Sequence, residues 1–304
     1  MRETGQGHVS VDGLFNIDKP RGLTSHDVVD VVRRLIGHRR VGHTGTLDPL
    51  ATGVLVVAVG QATRLIEFMT GHDKEYRFTL RLGEETDTLD AEGEIVERAP
   101  VPPLDEETIR AVLRRFTGTI EQVPPAHAAI RHRGRRLYEW ARMGRPVTPP
   151  PRRVHIYALD LEAWQPPELT LRVTCSAGTY VRALARDIAR ALNTRGHVTA
   201  LRRLASGPFR VEDAVPLRVL ESASDWRAYL LPVDAGLHHI PPVHLTPEQW
   251  AQVQHGRSPR GLPPGEEEGE WRRAYHNGRL VAMLRWDAAR KRWHPKKVLH
   301  PGDS

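Results

Sequence analysis

The sequence predicts an α+β fold with a mixed, largely antiparallel sheet, flanking helices and a small β-rich domain at the C-terminal end. Segments with strand-like alternation and segments with helical periodicity follow one another without the regular strand–helix–strand order of a parallel sheet. The chain has 304 residues, of which 39% are apolar, enough for one large domain and a smaller one.

Three segments predict the strands of the sheet. Apolar and polar side chains alternate over residues 76–82 and again over residues 169–175, which is the pattern of half-buried strands. Residues 54–59 are continuously apolar, which indicates a buried central strand.

Three helices are predicted from caps and periodicity. The first is capped by Ser25, ends at Gly37 and buries Val28, Val32 and Leu35. The second is capped by Asp105 and buries Ile109, Val112, Leu113 and Phe116. The third covers residues 179–193, buries Val181, Leu184, Ile188 and Leu192, and carries on its opposite face Arg182, Arg186 and Arg190.

Proline-rich breaks divide the chain into residues 1–238 and residues 239–304. Within the first part, prolines flank an insertion at about residues 124–153 that we expect to project from the sheet. The second part predicts a helix at residues 246–255, followed by short strands at residues 271–275, 280–286 and 296–300.

The distribution of charge points to nucleic acid. The chain carries 44 Lys and Arg against 37 Asp and Glu, a formal net charge of +7. Residues 131–153 contain eight arginines and one acidic residue, interleaved with Tyr138 and Trp140. Cations with aromatic rings suit a polyphosphate with exposed bases. The alternative for this stretch is a solvated helix face.

Several chemistries are excluded by composition. A single cysteine, Cys175, rules out an internal disulfide and a cysteine-based zinc cluster. Nucleotide-binding and metalloprotease motifs are missing, so we expect neither a cofactor nor a metal. The acidic residues 84–94 lack calcium-loop spacing and predict a solvated hairpin turn. Without a long apolar segment or a signal-like N-terminus, we expect a cytoplasmic protein with no membrane partner.

Residues 42–53, Gly-His-Thr-Gly-Thr-Leu-Asp-Pro-Leu-Ala-Thr-Gly, are the strongest candidate for chemistry. Glycines allow sharp turns and close approach of a ligand, and the apolar residues 54–59 anchor the loop in the core. One carboxylate, Asp48, is thereby held on a rigid support. The alternative is that Asp48 is an ordinary turn residue before Pro49.

This segment resembles the signature of the TruB family of tRNA pseudouridine synthases. Further motifs of that family occur in the same order across about residues 14–210: Asn-Ile-Asp-Lys-Pro-Arg-Gly-Leu-Thr-Ser at 16–25, Lys-Glu-Tyr at 74–76, Gly83 with Thr-Asp-Thr at 86–88 and Asp90, Arg-Leu-Tyr-Glu at 136–139, Gly-Thr-Tyr-Val-Arg at 178–182 and Leu-Arg-Arg-Leu at 201–204. The resemblance implies a pseudouridine-synthase catalytic domain and, after residue 238, a PUA-type RNA-binding domain.

The resemblance also implies roles for residues of this chain. The catalytic residues would be Asp48, Tyr76 and Arg182, with Asp48 attacking either the ribose C1′ or the uracil C6. The substrate-binding residues would be His43, Tyr180, Leu201 and Lys19. The insertion would grip RNA through Arg131, Arg133, Arg135, Arg136 and Tyr138. The family usually has tyrosine at His127 and lysine at Arg131, so the contacts of the insertion are where this chain departs from it.

The implied reaction is the isomerisation of uridine to pseudouridine at position 55, in the T-loop of tRNA, by a monomer without cofactor. The target base must leave its stack to be reached. Two alternatives stay open: an RNA-guided subunit of a box H/ACA particle, and a non-catalytic RNA-binding protein. The insertion at residues 124–153 favours an enzyme that grips tRNA itself.

Overall fold

The computed structural model describes residues 11–125, 131–132, 134–136, 140, 143, 147 and 149–300, without the side chains of Arg131, His132, Arg135 and Arg136. These residues form a large mixed sheet with helices packed on it, followed by a second, four-stranded sheet. The α+β prediction is confirmed.

The strands are, in chain order, β1 (Gly13–Lys19), β2 (Val41–His43), β3 (Thr52–Val59), β4 (Lys74–Leu82), β5 (Glu84–Thr86), β6 (Ile95–Arg98), β7 (Gly118–Gln122), β8 (Arg131–His132), β9 (Arg135–Arg136), β10 (Arg152–Gln165), β11 (Glu168–Cys175), β12 (Gly196–Ser206), β13 (Phe209–Arg210), β14 (Val215–Pro216), β15 (Pro242–His244), β16 (Trp271–His276), β17 (Arg279–Asp287) and β18 (Arg292–Val298). The main sheet has the order β14-β1-β3-β12-β4-β11-β10-β7, with β2 added on β3 and β13 on β12. Neighbouring strands in it are antiparallel except for β1 with β14 and β3 with β12.

The helices are α1 (Ser25–Ile36), α2 (Glu106–Arg114), α3 (Val181–Ala191), α4 (Leu217–Ser222) and α5 (Pro247–Val253), with 3₁₀ helices at Gly60–Phe68 and Trp226–Tyr229. The caps predicted at Asp105 and Gly37 are confirmed. The cap predicted at Ser25 is wrong. Thr24 caps α1 instead, because Asp27 lies three residues later and completes a capping box with it.

Strand β3 explains why residues 54–59 are apolar without alternation. Its side chains pack on both faces of the main sheet: Leu55 and Val57 join the core beneath α1 and α3, whereas Val54 and Val56 join a second core. A strand covered on both faces has no solvent side to mark with polar residues. Strands β4 and β11 alternate as predicted.

The second core is completed by the C-terminal sheet, which we define as β15–β18. Met283 of β17 packs into the same cluster as Val54 and Val56. Trp271 meets Phe68 edge to face at 4.7 Å between ring centroids. The last strand begins at Arg292, four residues earlier than the sequence pattern predicts. Within the described residues, no helix has the length and apolar character needed to cross a membrane.

Candidate active site

The loop between β2 and β3 carries Asp48 to the rim of a cavity of about 310 Å³. Five of the residues assigned by resemblance line this cavity together: Asp48, Tyr76, Tyr180, Arg182 and Leu201. They come from one loop, two strands and the start of a helix. Residues separated by up to 153 positions therefore converge on one site, as the resemblance implies.

The residues on either side of Asp48 are both anchored to the core. The buried Ser25 hydroxyl accepts from the Leu47 amide at 2.7 Å and donates to the Leu47 carbonyl at 3.0 Å. The Lys19 ammonium donates to the Pro49 carbonyl at 3.4 Å and to the Leu23 carbonyl at 2.6 Å. Burial lowers the pKa of Lys19 to about 8. The carboxylate is thus presented by a loop whose backbone is fixed.

Gly53 is required where this loop enters β3. Its φ of +98° lies in the region that side-chain-bearing residues avoid. A Cβ atom at this position would also stand 2.1 Å from the Arg203 carbonyl oxygen on the neighbouring strand. Only glycine permits β3 and β12 to approach this closely.

Arg182, in the first turn of α3, joins two carboxylates. Its Nε forms an ion pair with Asp48 Oδ2 at 3.0 Å, and its Nη1 donates to Asp90 Oδ2 at 3.0 Å. Nη1 also donates to the Thr88 carbonyl at 2.7 Å. The side chains of Arg182 and Asp90 are 7% and 4% exposed, whereas that of Asp48 is 34% exposed. The buried pair therefore holds the accessible carboxylate at the cavity through an ion pair.

The prediction that the acidic stretch is a solvated turn is wrong for its middle part. The stretch does form a hairpin, β5–β6, but Glu85 and Asp90 are buried. Asp90 accepts from the Thr88 hydroxyl at 2.6 Å and from the Glu92 amide at 3.1 Å, in addition to Arg182. Glu85 pairs with Arg190 at 2.7 Å. The hairpin thus pairs with two arginines of α3, Arg182 and Arg190, of which Arg182 is buried and Arg190 is exposed.

Tyr76 and Leu201 form the floor of the cavity from adjacent strands. Tyr76 lies on β4 opposite Arg203 of β12, and Leu201 lies on β12, two residues before Arg203. Both side chains are buried at the edge of the core. Burial raises the pKa of Tyr76, so its hydroxyl remains a neutral phenol at physiological pH.

Tyr180 stands at the N-terminal end of α3, where Gln122 fixes its backbone. The Gln122 side chain accepts from the Tyr180 amide at 2.8 Å and donates to its carbonyl at 3.0 Å. The Arg152 guanidinium lies over the Tyr180 ring, 5.2 Å from its centroid. Burial raises the pKa of Tyr180 as well. The ring is a rigid apolar wall beside the carboxylate.

Two residues assigned by resemblance do not line the cavity. Lys19 lies beneath the Asp48 loop, and His43 ends β2, where it pairs with Val57 of β3. In the insertion, Arg133 and Tyr138 lie outside the described residues. Of Arg131, Arg135 and Arg136 only the backbone is described, as the β8–β9 ribbon. The RNA-gripping role of these residues stays a prediction.

The structure adds two cationic residues that the sequence analysis assigned to no role. Lys74 lines the cavity at the start of β4, and burial lowers its pKa to about 8. Arg203 lies beneath the cavity with its side chain 2% exposed. Arg203 belongs to the Leu-Arg-Arg-Leu motif, which marked the segment but could not tell which arginine is buried.

The fold is shared with proteins of known structure. A chain from the crystal structure of a Cbf5–Nop10–Gar1 complex superposes with a TM-score of 0.74 at 26% identity, covering 97% of this chain and 86% of the other. A chain from the structure of an H/ACA RNP bound to a substrate RNA containing 2′-deoxyuridine gives 0.73 at 26% identity, covering 96% and 86%. The fold thus places this chain in a structural class that includes chains of an H/ACA RNP and of a Cbf5–Nop10–Gar1 complex.

Sequence comparison identifies the family within this class. The family model described as TruB family pseudouridylate synthase (N terminal domain) matches residues 33–181, and that described as tRNA pseudouridylate synthase B C-terminal domain matches residues 182–238. Proteins named tRNA pseudouridine synthase B from Chromohalobacter salexigens and Dinoroseobacter shibae are 45% and 42% identical. Their alignments cover 90% and 96% of this chain, and 90% and 97% of those relatives. The chain belongs to the TruB family of pseudouridylate synthases.

Proposed function

We propose that this protein converts uridine to pseudouridine at position 55, in the T-loop of tRNA, with Asp48 as the reacting carboxylate. The observation that carries the proposal is the arrangement of Asp48, accessible at the cavity and held by the buried Arg182–Asp90 pair. A carboxylate that is ionised, fixed and open to ligand is suited to nucleophilic attack.

In the proposed reaction, the Asp48 carboxylate either displaces uracil from the ribose C1′, so that the N1–C1′ bond breaks as the O–C1′ bond forms, or adds to the uracil C6 before the N1–C1′ bond breaks. In both cases the electron pair of the N1–C1′ bond stays on the uracil. After the base turns, C5 bonds to C1′ and the bond to the carboxylate breaks. The C5 proton is lost and N1 takes up a proton, so the product is an isomer of the substrate. Atoms and electrons balance without an oxidant, water or a cofactor, so the chain's own residues suffice.

Tyr76, Tyr180 and Leu201 hold the everted base during this rotation. The Tyr76 ring stacks on the uracil, and Leu201 and Tyr180 confine it from other sides. Since the raised pKa keeps Tyr76 protonated, its oxygen can accept the C5 proton only as its own O–H proton passes to solvent water. Arg182 holds the Asp48 carboxylate in place through their ion pair.

The remaining partners follow from the same proposal. His43 occupies the space in the T-loop that the everted base leaves, and Lys19 supports the loop beneath it. The arginines of the insertion and a PUA-type domain at residues 239–304 bind the RNA backbone. The protein acts as a cytoplasmic monomer on the T-arm of tRNA.

Tritium release from a tRNA transcript labelled at uracil C5, with purified protein alone, tests the proposal. The stand-alone enzyme releases tritium. Asp48→Asn abolishes the release while tRNA binding by filter retention is kept. Asp30→Asn, which changes a half-exposed aspartate on α1 that pairs with Arg33, is the matched control and keeps full release.

The same assay separates the alternatives. An RNA-guided subunit, for which the structural similarity to the Cbf5–Nop10–Gar1 complex is the supporting observation, releases tritium only after guide RNA and partner proteins are added. A non-catalytic RNA-binding protein releases none under either condition, and then Asp48 is a turn residue. Release by Asp48→Asn at the wild-type rate would refute the assignment of the carboxylate.

A further inference from the structure

Arg203 of β12 is a buried cation that holds both arms of the Asp48 loop. Its Nη2 donates to the Gly45 carbonyl at 3.1 Å and its Nη1 to the Thr46 carbonyl at 3.4 Å. Its Nε donates to the Val54 carbonyl at 2.6 Å. Gly45 and Thr46 precede Asp48 in the chain and Val54 follows it, so one guanidinium joins the two ends of the loop.

The partners of Arg203 are unusual for a buried arginine. Arg182 pairs with Asp48 and Asp90, and Arg202 makes a two-point contact with Asp18. Among the described residues, no carboxylate forms an ion pair with Arg203. A buried cation without a carboxylate is costly, and only well-directed hydrogen bonds to backbone carbonyls offset that cost. Such a residue is retained where its geometry is needed.

We propose that Arg203 is a positioning residue for the isomerisation, fixing the Asp48 loop so that the carboxylate meets the everted uridine. The inference rests on the proposed function, because it concerns how the same carboxylate is aimed. Arg203 also lines the cavity. The role proposed for it is to act on Asp48 through the carbonyls of the loop, to which Ser25 and Lys19 also bind.

The geometry explains why lysine cannot replace Arg203. The planar guanidinium presents donors at Nε, Nη1 and Nη2 in fixed directions, and all three are used here. An ammonium keeps the charge but cannot reach Val54 and the Gly45–Thr46 segment together. Arg203→Lys therefore loosens one arm of the loop while retaining the buried charge.

Single-turnover tritium release from labelled tRNA tests the proposal, with Arg202→Lys as the matched control on the same strand. We expect Arg203→Lys to lower the rate constant about 10- to 100-fold, the effect typical of a misplacement of about 1 Å. The tRNA dissociation constant stays within about twofold, because the base-binding residues are unchanged. Arg202→Lys, whose contact with Asp18 lies at the surface, stays within about twofold in both.

Hydrogen exchange read by mass spectrometry supplies a readout that global stability alone would not move. In Arg203→Lys, we expect exchange in the peptide covering residues 42–50 to rise about tenfold or more, while β4 and β11 keep wild-type protection. In wild-type protein, we expect the Leu47 amide, which donates to Ser25, to be protected although the loop borders an open cavity.

Three results would overturn the proposal: a wild-type rate for folded Arg203→Lys, a loss confined to tRNA affinity, or fast exchange of the loop in wild-type protein. The last measurement needs no variant, so it decides even if Arg203→Lys does not fold. Failure of the proposed function is distinguishable, since wild-type protein would then release no tritium whatever the exchange of the loop.

Discussion

Substitution of Asp90 tests how much this buried carboxylate contributes to holding Arg182 and, through it, Asp48. In Asp90→Asn the side chain keeps its shape, and its oxygen can still accept from the Thr88 hydroxyl and the Glu92 amide. The amide NH₂ group then faces Arg182 Nη1, and because both groups are donors they cannot form a hydrogen bond. Arg182 loses its deepest partner and keeps only Asp48 and the Thr88 carbonyl.

The magnitude follows from the burial of this pair. A hydrogen bond between charged groups contributes about 1.5–3 kcal/mol, and a contact between side chains 7% and 4% exposed is little screened by water. If Arg182 no longer holds Asp48 in place, a loss of about 1.5–3 kcal/mol from the transition state corresponds to about a 10- to 150-fold lower rate constant. Affinity for tRNA should change by less than about threefold.

Single-turnover tritium release with enzyme in excess measures the rate constant, and filter binding measures the affinity. Urea unfolding measures the free energy of unfolding, which should fall because Arg182 is left buried with fewer partners. Asp87→Asn, in the same hairpin but exposed, is the control. A folded Asp90→Asn with a rate constant within threefold of wild type would refute the reasoning, as would a defect confined to tRNA binding.

Three further perturbations test other parts of the structure. Gly53→Ala introduces a clash between its Cβ atom and the Arg203 carbonyl of the neighbouring strand, in addition to backbone strain. It should lower the free energy of unfolding in urea by about 2–4 kcal/mol. Gly22→Ala, with a similar φ but open space around it, should cost about 1 kcal/mol, and equal losses would contradict the clash. The pKa of Lys19 is lowered to about 8 in the folded state, against 10.5 as a reference for the unfolded chain. Between these pH values the unfolded state binds more protons than the folded state. The free energy of unfolding should therefore rise from pH 8 to pH 10. Lys19→Met should reduce this rise in urea titrations and leave the part that comes from Lys74, whose pKa is also lowered to about 8, whereas an unchanged rise would exclude Lys19 as a contributor. Finally, replacing Arg133, Arg135 and Arg136 with alanine should weaken tRNA binding and flatten its salt dependence, because fewer counterions are released on binding. Filter binding across salt concentrations measures both effects. An unchanged salt dependence would indicate that the C-terminal sheet, and not the insertion, binds the RNA backbone.

The elements that the sequence predicts well are those whose burial is decided locally. Strands β4 and β11 alternate because one face of each meets the core, and α1 ends at Gly37 because its left-handed φ of +64° suits glycine. The error at Ser25 had a signal that could have corrected it. Thr24 has an acidic residue three positions later, whereas Ser25 has Val28 there, so only Thr24 can complete a capping box.

The residues that the sequence could not place are those whose surroundings come from distant segments. Asp90 lies in an acidic run, and such runs are usually solvated. Its burial depends on Arg182, 92 residues further along the chain. Arg202 and Arg203 are neighbours with the same side chain, yet one faces Asp18 at the surface and the other lies beneath the Asp48 loop. The local sequence pattern predicts neither the burial of Asp90 nor the difference between Arg202 and Arg203. Both depend on how strands β3, β4 and β12 are ordered in the sheet.

In the proposed function a carboxylate reacts beside a polyanion, and the charges around the cavity suit that setting. Asp48 and Asp90 contribute two negative charges, whereas four cations lie around them: Arg182, Arg203, Lys19 and Lys74. Burial is the main cause of the lowered pKa of both lysines, and the charge of Arg203 lowers it further. In the proposed reaction, an excess of positive charge at the cavity would attract RNA phosphate and stabilise the negative charge on uracil once its glycosidic bond breaks.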